Sequence, residues 1–119
     1  MGRWAKTHDA GALAARLRRA LADRARIAEK GMFGGVCFLL RGNMLCGTGG
    51  PGFMFRVGKE RDAEALARPG ASPMKLDGRR YAGFVWVDPG ACDSRALKRW
   101  IALAESYVSQ LPAKKARSR

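Results

Sequence analysis

The sequence predicts one α+β domain, with helices packed on a mostly antiparallel five-stranded sheet. Three observations carry this. Residues 32–57 hold three short apolar runs separated by turn residues, with no acidic residue among them, which is the pattern of a β-meander. Near the end, Leu97, Trp100, Ile101, Ala104, Val108 and Leu111 form one stripe at helical spacing. Every neighbouring pair of strand candidates is joined by a short turn or one short helix, which favours antiparallel pairing. The expected order is α-β-β-β-α-β-β-α.

The first helix is expected over residues 10–29. Leu13, Leu17 and Leu21 recur at four-residue spacing, with Ala10, Ala14, Ala20 and Ala28 filling the stripe. Arg16, Arg19, Arg26 and Lys30 fall on the opposite side. Arg24 is the anomaly, since helical spacing puts it inside the apolar stripe. Its stem snorkels along the core edge, or the helix bends or ends earlier. Gly31 is a natural stop.

The meander follows. Gly42-Asn43 suits a two-residue hairpin turn, because Gly accepts positive φ and Asn tolerates it. Gly49-Gly50-Pro51-Gly52 suits a looser second turn. A short helix is expected over 59–67, ending before Pro69-Gly70. Residues 73–76 read as an edge strand that tolerates Pro73. Asp77-Gly78 signals a hairpin, and 80–87 reads as the fifth strand. The final helix is capped by Asp93 or Ser94 and ended by Pro112.

The 119 residues and 47% apolar content suit a single core. Residues 1–9 are expected to be flexible, 10–112 to form the domain, and 113–119 to be a basic disordered tail. No signal peptide and no apolar run of spanning length is apparent, so a cytoplasmic protein is expected. Net charge is +13. It concentrates at the ends, with +5 in residues 1–30 and +4 in residues 113–119.

Cys37, Cys46 and Cys92 are odd in number and form no C-x-x-C pair, so reduced, buried thiols are expected. With Gly42-Asn43 as the turn, Leu39 lies opposite Cys46. Cys37 is then only a diagonal neighbour, long for a disulfide.

Both faces of the central strands are apolar. Val36, Phe38 and Leu40 point one way, and Phe33, Cys37 and Leu39 the other. Phe84 and Trp86 point one way, and Tyr81, Val85 and Val87 the other. A half-exposed antiparallel sheet should alternate, so a homodimer or a protein partner is expected to cover the second face. Phe38, Leu40, Phe84 and Trp86 are its candidate residues.

The ordered motifs resemble one family. They are Met32-Phe33-Gly34-Gly35-Val36 with Phe38, Gly42 and Met44, then Phe53-Met54-Phe55-Arg56-Val57. Pro69-Gly70-Ala71-Ser72-Pro73-Met74, Gly78-Arg79, Gly83-Phe84-Val85-Trp86-Val87, and Leu97 with Trp100 follow. Together they are similar to the TfoX N-terminal domain family, related to the TfoX/Sxy competence regulators, in a stand-alone, single-domain form. The resemblance implies a secretion-chaperone-like α+β fold and a regulatory role linked to transcription or competence. The name-giving regulators also carry a domain resembling helix-hairpin-helix modules, which these residues do not include.

Candidate chemistry is sparse. Met32, Phe33, Gly34 and Gly35 suit a ligand or partner contact, but a glycine pair that permits close approach to the strand is favoured. Gly47-Thr48-Gly49-Gly50-Pro51-Gly52 leads into a strand without a following Lys, so a hairpin loop is favoured over a phosphate cradle. His8 is the only histidine. No metal set, nucleophile triad or tuned carboxylate pair is apparent. A non-enzymatic domain without a cofactor, acting through protein contacts, is therefore expected. The alternative is non-specific nucleic-acid binding through Arg16, Arg19, Arg26, Lys114, Lys115, Arg117 and Arg119, which would be salt-sensitive.

Overall fold

In the computed structural model, residues 10–32 and 34–114 are described. Among the described residues, three α-helices lie on one six-stranded sheet. The helices are α1 (Ala10–Ala20), α2 (Asp62–Leu66) and α3 (Ser94–Val108). The strands are β1 (Ile27–Met32), β2 (Gly35–Leu40), β3 (Asn43–Gly49), β4 (Gly52–Arg56), β5 (Ala71–Leu76) and β6 (Arg79–Val87). They run in the spatial order β1-β2-β3-β4-β6-β5, and every pairing is antiparallel.

The sixth strand corrects the expected five. The first helix ends at Ala20 rather than near residue 29. Its stripe, Leu13, Ala14, Leu17 and Leu21, is buried, and the next position on that stripe is Arg24. A cation there cannot extend the apolar face, and Arg26, with a positive φ of 65°, turns the chain into β1. Ile27–Met32 then pairs along β2 and satisfies the edge that β2 would otherwise expose. Arg24 instead meets Glu105 of α3, with N–O distances of 2.9–3.1 Å.

The β2–β3 turn also differs. Arg41 (φ 52°) and Gly42 (φ 85°) are its two central residues, one position earlier than Gly42-Asn43. Both carry positive φ, as a tight hairpin matching strand twist requires. Asn43 pairs with Leu40, and its amide donates to the Pro112 carbonyl at 2.9 Å. Leu39 consequently faces Met44, not Cys46. The register then shifts by one residue, so that Phe38 faces Cys46. Leu45 is the extra residue, a β-bulge, and both Leu45 and Cys46 join the core beneath the helices. Cys37 belongs to the cluster on the other face, so it is not a same-face diagonal neighbour of Cys46. All three cysteines are free and buried.

The β3–β4 connection is a tight turn, with Gly49 paired to Gly52. Lys59–Arg61 forms a 3-10 turn leading into α2. β5 is the second edge strand, carrying Pro73 beside a break in register. Asp77-Gly78 closes the β5–β6 hairpin. Asp93 caps α3 by accepting the Ala96 N–H at 2.8 Å. The main core joins α1 and α3 to the inner sheet face through Phe38, Phe53, Phe55, Val85, Trp100 and Ile101. Each fully buried large side chain there contributes about 1.5–3 kcal/mol.

Candidate functional site

The opposite sheet face is where the structure departs from a closed core. Cross-strand register fixes which residues share it. Lys30 faces Cys37, Cys37 faces Gly47, Gly47 faces Met54, and Met54 faces Trp86. Side chains directly opposite in an antiparallel sheet lie on one face. This row therefore runs across five strands on the side away from Phe38, Phe53 and Phe55.

Cys37, Met54 and Met74 are buried on this face, with Met32, Leu39, Met44, Phe84 and Trp86 packed around them. All belong to strands. Among the described residues, no helical side chain joins this cluster, whereas all three helices contribute to the core on the other side. A groove of about 950 Å³ crosses the face, lined in part by Met32, Leu39, Met44 and Phe84. Methionine is unbranched and polarisable, so a surface built from it adapts to different shapes.

The expected contact residues divide between the two faces. Phe84 and Trp86 lie on the open face. Phe38 and Leu40 lie under the helices, 1% and 8% exposed. Cys37 and Leu39 occupy the open face in their place. Their signal was present in the apolar alternation of β2, but only the register says which half faces outward.

The glycine motif is the β1–β2 connection. Met32 pairs with Gly35, and Gly34 takes a φ of 75°. Phe33 lies outside the described residues. Gly35 is pressed against β3, where the Thr48 hydroxyl accepts the Val36 N–H at 3.1 Å. A Cβ at Gly35 would meet the Thr48 backbone of the neighbouring strand. The Gly47–Gly52 segment likewise forms strand ends and a hairpin turn.

The basic residues have diverse surroundings. Arg16 donates to the Cys92 carbonyl at 2.6 Å, and its guanidinium lies 5.1 Å from the Phe53 ring centroid, so it is committed to packing. Arg19 is exposed and, with Arg16 and Lys98, lines a cleft between α1 and α3. Arg26 shapes the turn into β1, where its carbonyl accepts the Arg41 N–H. The Lys114 N–H donates to the Arg41 carbonyl at 2.8 Å. Lys115, Arg117, Arg119 and His8 lie outside the described residues. Arg18 and Glu29 form an ion pair that straps β1 to α1.

Carboxylates with shifted titration serve structure. Burial works against the charge of Asp62, but hydrogen bonds from Arg80 and the Gly83 N–H hold its carboxyl below the usual range. The Ala96 N–H does the same for Asp93. Burial pushes the Cys37 thiol up to about 11 and raises Cys46 and Cys92 as well. Among the described residues, no group of three His, Cys, Asp or Glu side chains is placed to hold a metal ion. No described helix is long and apolar enough to cross a membrane.

The TfoX N-terminal domain model matches residues 19–107, from the end of α1 almost to the end of α3. The chain belongs to the TfoX N-terminal domain family. No curated protein and no solved structure gives a significant match. The matched span includes all six strands, and hence both the glycine connection and the methionine-rich face of this TfoX N-terminal domain. Family membership suggests a regulatory, competence-related role.

Proposed function

We propose that this TfoX N-terminal domain is a non-enzymatic, cytoplasmic regulatory or adaptor domain that works through protein contacts on its open sheet face. The observation that carries the reading is the cluster of Met32, Met44, Met54, Met74, Phe84 and Trp86 on a face without helical cover among the described residues. Met32, Met44, Phe84 and Trp86 are partly exposed there, and apolar clusters left partly exposed mark interaction sites. The carboxylates with shifted titration, Asp62 and Asp93, hold Gly83 and the start of α3 in place. A link to transcription or competence follows from the family.

A photo-crosslinking amino acid at position 44, compared with one at exposed position 98, tests the reading in cells. Discrete crosslinked products from position 44, absent from position 98 and lost with Leu39→Glu, are expected. No product from position 44, or the same products from both, overturns it.

One observation favours direct nucleic-acid binding instead, the cleft between α1 and α3 with Arg16, Arg19 and Lys98 in its wall. That reading requires salt-sensitive binding of duplex DNA or single-stranded RNA that falls with Arg19→Glu/Lys98→Glu. Fluorescence anisotropy at two salt concentrations measures it, and no binding near physiological salt is expected.

A further inference from the structure

We propose that the groove on the open face receives an acidic amphipathic helix from a partner protein. This rests on the protein-contact reading above and names the chemistry of the occupant.

The groove is lined by apolar and cationic side chains together. Met32, Leu39, Met44 and Phe84 supply the apolar lining, and Lys30, Arg56 and Lys114 the charge. Among the described lining residues the one carboxylate is Glu29, which Arg18 engages at 2.6 and 2.8 Å. Arg56 is held over the Phe84 ring, 5.4 Å from its centroid, and over the Tyr107 ring at 5.6 Å. Neither Arg56 nor Lys30 has a carboxylate partner among the described residues. An occupant that buries the methionines must therefore bring negative charge to meet these cations.

Charge argues against a second copy in this groove. The chain carries +13, and pairing two such grooves sets Lys30, Arg56 and Lys114 against the same cations. Like charges brought together across an interface are unfavourable.

Geometry argues for a helix. The groove takes its lining from β1, β2, β3, β4 and β6, so it crosses the strands instead of following an edge. An extended peptide laid across sheet faces leaves its own N–H and C=O groups without partners. A helix satisfies them internally and offers apolar residues at i, i+3, i+4 and i+7 to the methionines.

The probe is a fluorescein-labelled helical peptide of about 18 residues, long enough to hold several turns. It carries Leu and Phe on one face and Glu on the other. Controls are its Lys-for-Glu counterpart and a scrambled sequence. Anisotropy titration of the full chain is expected to show micromolar binding of the acidic peptide that weakens with salt. Each control should bind at least about tenfold more weakly, as should the acidic peptide to Met44→Gln. Lys30→Glu/Lys114→Glu, two surface changes that leave the core intact, should weaken it about tenfold.

Equal binding of acidic and basic peptides overturns the proposal, as does unchanged affinity in both variants. So does a dimer, seen by sedimentation at tens of micromolar and dissociated by Met44→Gln. Because such a dimer still uses the open face, it removes the acidic helix but leaves the protein-contact reading standing. A lack of crosslinks from position 44 removes both.

Discussion

Thr48 sits hard against Gly35. A Cβ added to Gly35 would lie 2.1 Å from the Thr48 carbonyl oxygen, while the Thr48 hydroxyl accepts the N–H of the next residue, Val36. The adjacent Gly34 has no atom within 4 Å of its added Cβ but takes a φ of 75°. The two glycines of one motif thus meet different demands, close approach at one and backbone conformation at the other.

Gly35→Ala is therefore expected to destabilise the domain by about 2–4 kcal/mol, because Thr48 backbone must move. Gly34→Ala should cost only about 1–2 kcal/mol, the left-handed conformation of a residue with Cβ. Urea unfolding of both variants checks this. Equal losses would contradict the close approach at Gly35.

Phe55 of β4 stacks on Trp100 of α3, with ring centroids 5.4 Å apart and planes 16° apart. Phe55 is fully buried and Trp100 is 3% exposed. Phe55→Ala should cost about 3–5 kcal/mol, combining lost transfer energy with a cavity. Phe55→Leu retains most of the volume and should cost roughly 1–2 kcal/mol. Chemical denaturation followed by tryptophan emission measures both.

Acid should destabilise the fold partly through Asp62. Its carboxyl titrates below the usual range when folded, despite opposing burial, because Arg80 and the Gly83 N–H favour the charged form. A lowered folded pKa gives stability that is present above the unfolded value, about 4, and lost as pH falls through the folded value. Asp62→Asn should flatten this acid limb when stability is measured between pH 7 and about pH 3. Asp93 shifts in the same direction, so the limb should shrink without vanishing.

The thiols should be silent in the folded state. Cys37, Cys46 and Cys92 are at most 2% exposed, and burial raises the pKa of each. The thiolate is the reactive form, so a thiol-specific chromogenic disulfide at pH 8 should report none before unfolding and three after it. Rapid native labelling of Cys37 would show that the methionine-rich face opens in solution.

Much of the fold was legible in local pattern. The apolar runs of the meander, Asp77-Gly78, Pro73 on an edge strand, and the Asp93 cap with its Leu97–Trp100–Ile101 stripe all reappear as expected. The end of α1 was less clear. Ala-rich residues 22–29 suit a helix by propensity, and only Arg24 within the apolar stripe signalled a stop. Pairing with β2 outweighs that propensity at Ile27–Met32.

The candidate face was legible only in part. Apolar residues on both sides of β2 and β6 announced an uncovered surface, and Phe84 and Trp86 do lie on it. Which side of β2 joins them depends on the Arg41-Gly42 turn and the Leu45 bulge. A one-residue change of register sends every side chain to the opposite face. By itself, the sequence determined the family, the α+β class and the presence of two apolar sheet faces. The tertiary structure decided the sixth strand and the grouping of Cys37 and Leu39 with Phe84 and Trp86, because strand pairing and register arise from contacts between residues distant in the chain.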